Sequence, residues 1–289
     1  MDKHAYLIIA HNNFSVLKKL LELIDDYRND IYIHLDKKVK KFDFTYFKNL
    51  CKKSDLHFLK RRYNIKWGES SQVKAEMLLF KSSLKGHYKY YHLISGVDLP
   101  LKTQDFIHDY FSDKDLIFLY YKKDYTLFDY QRISLFRFSH SVPEKIKNIL
   151  MTLQIRLKID RIKKYNYHFA RGRNWCSLPY DAVEYLVQKR RFIKHICRFS
   201  SCADEVYKQF LLYNSPLKDK IFKDENGQTN DLREIDWIRR VNDSPHVFTI
   251  EDKEMLFNSK KLFARKFDEK VDKEIIDEVF EFVKSKANI

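Results

Sequence analysis

Five short, apolar, β-rich runs, each separated from the next by a helical pattern, constrain this chain more than any other feature. They are "AYLIIAH" (5–11), "DIYIHLD" (30–36), "LHFL" (56–59), "YYHLIS" (90–95) and "LIFLYY" (116–121). Asn12 and Asn13 open a helical pattern through Leu17, Leu20, Leu21 and Ile24. Residues 42–53 read as helical, as does "GESSQVKAEMLLFKSSLK" (68–85) with Ser70 or Ser71 at its N-cap, and Thr103 caps a further short helix. This alternation predicts an α/β fold with a mostly parallel, doubly wound sheet. Ligands of such sheets sit beyond the carboxyl ends of the strands, which here are His11, the "HLD" of 34–36 and the loop 96–98.

The second half is less regular. Residues 143–165 read as a basic helix, and "NWCSLPYDAVEYLVQKR" as a strand and then a helix with Pro179 near its first turn. A helix over 203–213, a polar loop over 217–231, a strand at "LREIDWI", a short helix, "KLFARKF" and a C-terminal amphipathic helix complete the pattern.

Composition bears on partners. The net charge of +15 suits nucleic acid, an anionic membrane surface or an acidic small molecule. No nucleic-acid motif is present, so nucleic acid is not expected. The four cysteines (Cys51, Cys176, Cys197, Cys202) form no CxxC pair, which argues against a zinc site or a disulfide framework. The N-terminal apolar run, 5–10, is too short for a signal peptide or a membrane span. The expectation is a cytoplasmic protein, held if at all at the inner membrane face by charge. With five glycines and neither GxxxxGK[ST] nor GxGxxG, any bound diphosphate must be held by side-chain cations.

Several residues are candidates on these grounds. Asp98 in "SGVDLP" follows a buried strand, at the ligand end of the sheet. Asp113 and Asp115 have the Asp-x-Asp form of a metal-holding pair but precede their strand, so they read as a surface turn. Arg265 and Lys266 in "LFARKFD" and Arg233 in "DLREIDW" are cations in apolar frames. They call for an anionic partner, either a ligand or an internal acid such as Asp236 or Asp268. Asp204 and Glu205 open the 203–213 pattern, where each favours a helix N-terminus and either is available for chemistry.

Taken in order, "HLISGVDLPLKTQDFIHDYF", "ARGRNWCSLPYDAVEYL", "ADEVYKQFLLYNSP", "LREIDW" and "LFARKFD" resemble the core-2/I-branching β-1,6-N-acetylglucosaminyltransferases and peptide O-xylosyltransferases, one glycosyltransferase family. The similarity runs from "YLIIAHNN" to about Asp268, and the chain looks like a bacterial member. The resemblance implies a single GT-A type domain over 1–289, with a nucleotide-binding half (about 1–112) and an acceptor and catalytic half (about 113–289). It implies inverting transfer from a UDP-sugar, GlcNAc or a related hexose or pentose, to a hydroxyl of a glycan. That glycan would be a capsular or exopolysaccharide acceptor, lipid-linked in one version. No divalent metal is implied. On this likeness Glu205 is the catalytic base, with Asp204 supporting it. His11, Asp36 and Trp67 meet the uridine, Asp98 lies near the donor sugar, and Arg233 and Lys266 hold the diphosphate. Arg239 and Arg240 are alternatives to Arg233, and Arg265 and Trp175 are supporting residues. Cys202-Ala203 stands where the family often has Ser-Pro or Pro-Ala. A non-catalytic glycan-binding protein and a basic nucleic-acid-binding protein are the rival classes.

Overall fold

The computed structural model describes residues 2–122, 124–138 and 142–287. Strand β1 (His4–Ala10) leads to α1 (Phe14–Ile24), β2 (Asn29–Leu35), α2 (Phe44–Lys48), β3 (Asp55–Phe58), α3 (Ser71–Ser83), β4 (Tyr90–Ser95), β5 (Leu99–Pro100) and α4 (Gln104–Phe111). The second half supplies β6 (Phe118–Lys122), α5 (Leu127–Ser134), α6 (Glu144–Arg156), β7 (Arg171–Pro179), α7 (Tyr180–Gln188), α8 (Arg190–Cys197) and α9 (Tyr207–Tyr213). It ends with β8 (Arg233–Ile235), α10 (Lys253–Asn258), β9 (Phe263–Arg265) and α11 (Lys273–Ala287).

The main sheet has the order β3-β2-β1-β4-β7-β6. The first four strands are parallel, as the alternation predicts. Every residue of β1 is buried, because both faces of the sheet are covered. Its residues alternate between two cores. Ala5, Leu7 and Ile9 pack with α3, α7 and α9, whereas Tyr6, Ile8 and Ala10 pack with α1, α4 and α11. The sequence order of the strands does not carry through the whole sheet. Strand β7 inserts antiparallel between β4 and β6, so β6 is not the neighbour of β4. A second sheet of three short strands, β5-β9-β8, lies at the carboxyl end of β4.

Three expected elements differ. The 143–165 helix stops at Arg156, and Lys163–Tyr165 form a separate 3-10 turn. The 42–53 helix shrinks to α2, capped by the Asp43 carboxylate, which accepts from Tyr46 N at 2.8 Å. The 203–213 helix is broken: Ala203–Glu205 form a separate 3-10 turn, entered through Cys202 at φ 47° and left through Val206, before α9 begins. Asp204 and Glu205 therefore sit on a tight turn ahead of the helix and not in its first turn. Among the described residues no helix is long and apolar enough to cross a membrane.

The β6–β7 pairing shifts register between Leu119 and Tyr121, and Gly172 lies against the displaced backbone. A Cβ there would stand 1.7 Å from the Tyr120 carbonyl oxygen. Gly172→Ala should therefore force the strands apart and cost about 1–3 kcal/mol, measured as a lower urea midpoint with an unchanged slope.

Candidate active site

Strand β7 organises the candidate residues at the strand ends. It runs antiparallel to β4, and the last pair of their ladder is Leu93 with Cys176. Trp175 and Asn174 therefore lie level with the last residues of β4, and residues 171–173 extend beyond it. Along this stretch Arg171, Asn174 and Trp175 each touch a different part of the site.

Arg171 Nη2 donates to Glu205 Oε2 at 2.9 Å, and Arg132 Nη1, from α5, donates to the same oxygen at 2.6 Å. Arg171 also pairs with Asp129. Asp129 is held in turn by a reciprocal capping box with Thr126 at the start of α5. Two guanidinium groups thus fix one carboxylate oxygen of Glu205. Oε1 has no hydrogen-bond partner among the described residues, and the side chain keeps 27% of its exposure. An oriented carboxylate with one free oxygen is a suitable proton acceptor for a bound hydroxyl.

Asn174 reaches the backbone of the same turn through Lys208. Lys208 Nζ, fully buried on α9, donates to Glu76 Oε2 at 2.6 Å, Asn174 Oδ1 at 2.7 Å and the Asp204 carbonyl at 3.0 Å. Tyr207 adds a 2.8 Å bond to the same Glu76 oxygen. The buried Glu76–Lys208 pair is thus fully bonded, as such a pair must be, and it ties α3, β7 and the 203–205 turn together. Asp204 stands beside this network. Desolvation, and then the facing Glu76 and Glu205 carboxylates, push its carboxyl up to about 7, with Lys208 pulling the other way. A further bond, from Cys202 N to the Gly68 carbonyl at 2.9 Å, attaches the turn to the loop that carries exposed Trp67.

Trp175 links the strand to the cations. The Arg265 guanidinium lies 4.1 Å from its ring centre, with Nε 3.6 Å from Asp98 Oδ1. Burial lowers the Arg265 pKa and Asp98 counters it. Asp98 is wholly buried. Its Oδ2 accepts from Ser95 N at 3.0 Å, and burial raises its pKa against the pull of Arg265. It thus braces its own loop and faces Arg265, without reaching the open crevice. Lys266 is half-buried, its Nζ donating to Ser244 Oγ at 2.5 Å. Burial, and then Arg265, lower its pKa. His11 lies within electrostatic reach of Asp36, Lys38 and Lys266. Desolvation lowers its pKa and Asp36 opposes the shift. Asp36 is buried, its oxygens accepting from Lys38 N at 2.8 Å and Ile65 N at 3.1 Å. His11, Asp36 and Lys266 therefore share one end of the sheet.

Arg233 does not join them. Its guanidinium is buried and donates to Ser177 Oγ at 2.8 Å, Cys176 O at 2.8 Å, Leu93 O at 3.3 Å and the Asp231 carbonyl. Nothing in this placement supports the diphosphate role expected of it, because both terminal nitrogens are engaged inside the fold and the side chain is buried. Of the alternatives, Arg239 is paired with Asp236 and Asp252, and Arg240 is exposed. Asp113 and Asp115 lie at the opposite, amino end of β6, paired with Lys114 and Lys220. Sequence reading missed Arg132, Arg171, Glu76 and Lys208. A signal existed for Glu76, which takes a core position in the spacing Val73, Glu76, Phe80, Ser83 of α3.

The family model described as "Core-2/I-Branching enzyme" matches residues 4–258. No curated protein matches. Among solved structures, the apo WbbM bifunctional glycosyltransferase aligns at 13% identity and a TM-score of 0.37, over 74% of this chain and 37% of that one. The apo form of mouse xyloside xylosyltransferase 1 aligns at 6% identity and a TM-score of 0.35, over 74% and 82%. The chain thus spans little more than a third of the WbbM structure.

The raised pKa of Asp204 has a consequence for stability. The folded state favours the neutral carboxyl. The stabilisation this gives is complete below the unfolded value of about 3.9 and is lost as pH rises through about 7. Asp204→Asn should remove this dependence. Urea unfolding across that window should find wild type losing ground to the variant as pH rises, with the difference level above it.

Proposed function

Because the chain belongs to the core-2/I-branching enzyme family of glycosyltransferases, we propose that it is an inverting, GT-A type enzyme. In this reading it moves a sugar from a UDP-sugar, GlcNAc or a related hexose or pentose, to a hydroxyl of a glycan in bacterial polysaccharide synthesis. The observation that most supports it is strand β7. The strand holds the oriented Glu205 carboxylate at Arg171 and the Arg265 cation at Trp175, about 13 Å apart along the strand.

Inversion by single displacement needs a base for the acceptor proton and positive charge for the departing diphosphate. Glu205 Oε1 takes the proton. Arg132 and Arg171 keep the carboxylate turned toward the acceptor. Lys266 meets the diphosphate, with Arg265 beside it. Two cations adjacent in sequence, both desolvated, with Arg265 adding to the lowering of the Lys266 pKa, are stabilised when an anion arrives. Side-chain charge thus takes the place of a divalent ion. Trp67 offers an exposed ring for the base, and His11 and Asp36 flank the uridine end.

Two experiments test this reading. UDP in excess, with EDTA present, should raise the melting temperature of wild type. At about a hundred times its Kd the gain is roughly 2.7 kcal/mol, and Lys266→Ala should lose most of it. A shift that requires Mn²⁺ would overturn the metal-free reading. Glu205→Gln should keep the UDP shift and lose transfer by about 10²-fold or more. If Glu205→Gln transfers normally while Asp204→Asn does not, the base is Asp204, whose pKa lies near neutrality.

A further inference from the structure

Helix α6 turns its apolar side outward. Gln154 is its buried residue, and its side-chain amide donates to Phe136 O at 3.1 Å and accepts from Phe136 N at 2.7 Å. Ile146, Ile149 and Leu153, with Leu157 just past the helix end, retain 48, 66, 49 and 63% of their exposure. At about 100° per residue these four fall within one quadrant or so of the helix. Scattered exposed aliphatics are ordinary on a surface, but a periodic stripe of them marks a contact. The charges beside the stripe have one sign. Lys145 and Arg156 border one edge of it on the helical projection, Lys158, Lys163 and Lys164 follow, all exposed, and Ile155 is a further exposed aliphatic outside the stripe. The acid of the first turn, Glu144, is paired with Lys147 at 2.6 Å.

We propose that α6 lies in the surface of an anionic lipid bilayer, its aliphatic stripe at the acyl boundary and its flanking cations among the headgroup phosphates. A short helix with an apolar stripe and a cationic edge is suited to that plane and not to crossing it. A basic protein partner would be repelled by the flanks, and a second copy would bring like charges together. Gln154 ties the helix to Phe136, in the segment that continues from α5, whose Arg132 holds Glu205. Docking would therefore set the site close to the membrane, where a lipid-linked acceptor lies. That last step rests on the glycosyltransferase reading, whereas binding of the helix does not.

The test is sedimentation of the purified full chain with vesicles of phosphatidylcholine alone and of phosphatidylcholine mixed with phosphatidylglycerol. Wild type should sediment with the mixed vesicles, less so as salt rises. Ile149→Ser/Leu153→Ser and Lys145→Glu/Arg156→Glu should each weaken this by about tenfold or more. Unfolding curves like that of wild type would show both variants folded. The UDP-induced shift, unchanged in both, separates a failure here from a failure of the donor site. Equal binding to both vesicle types, no binding to either, or variants that sediment like wild type would overturn the proposal. So would concentration-dependent self-association, seen by analytical ultracentrifugation and lost in the serine variant, which would give the stripe to a second copy.

Discussion

The architecture of the crevice depends on one buried cation. The β4–β7 ladder ends at Leu93 and Cys176, and past that point the two strands no longer satisfy each other's backbone. Arg233 Nη2 takes both of those carbonyls, while Nη1 takes Ser177 Oγ and the Asp231 carbonyl. The ring of Phe263 lies under the guanidinium, its centre 5.0 Å away. A guanidinium without such partners would be costly in the interior. With them it closes the seam between the main sheet and the three-stranded sheet. The β8–β9 pairing then places Arg265 and Lys266 over the strand ends, and Phe267 N to Val97 O, at 3.0 Å, closes the other side. A residue that resembles a ligand-binding cation in sequence is therefore a pin inside the fold that sets where Arg265 and Lys266 stand.

Charge is layered in the same way around Glu205. Glu205 is met by arginines, the arginines by Asp129, and the backbone of the turn by Lys208, which is itself neutralised by Glu76. Each charge in the series has an opposite neighbour, so the desolvation cost of the crevice is offset within it. Asp204 is the exception. Its pKa is raised by burial first and then by the Glu76 and Glu205 carboxylates.

The legible parts of this fold were those whose burial is local in origin. Strands β1, β2 and β4 are covered on both faces, so they appear as unbroken apolar runs, and their ends mark the ligand side of the sheet. The insertion of β7 was not legible, because periodicity reports that a segment is a strand and is silent on which neighbour it pairs with. The break at Val206 was hidden for a related reason: the apolar residues on either side keep a helical spacing across it. The direction of Arg233 was also out of reach. Arg233 and Arg265 both sit in apolar frames in sequence, and only the pairing of β8 with β9 sends one inward and leaves the other beside Trp175. His11 and Asp36 each close a strand, a property visible in the pattern of runs, whereas Lys266 reaches them only through the pairing of β9 with β8.

One feature of β7 has a wider consequence. Asn174 and Trp175 are successive residues, so they point to opposite faces of the strand, one toward the turn of Asp204 and the other toward Arg265. A slip of one residue in pairing would exchange those faces. The two halves of the crevice would then be lost together and never separately. Tolerance to change along this strand is for that reason all-or-none.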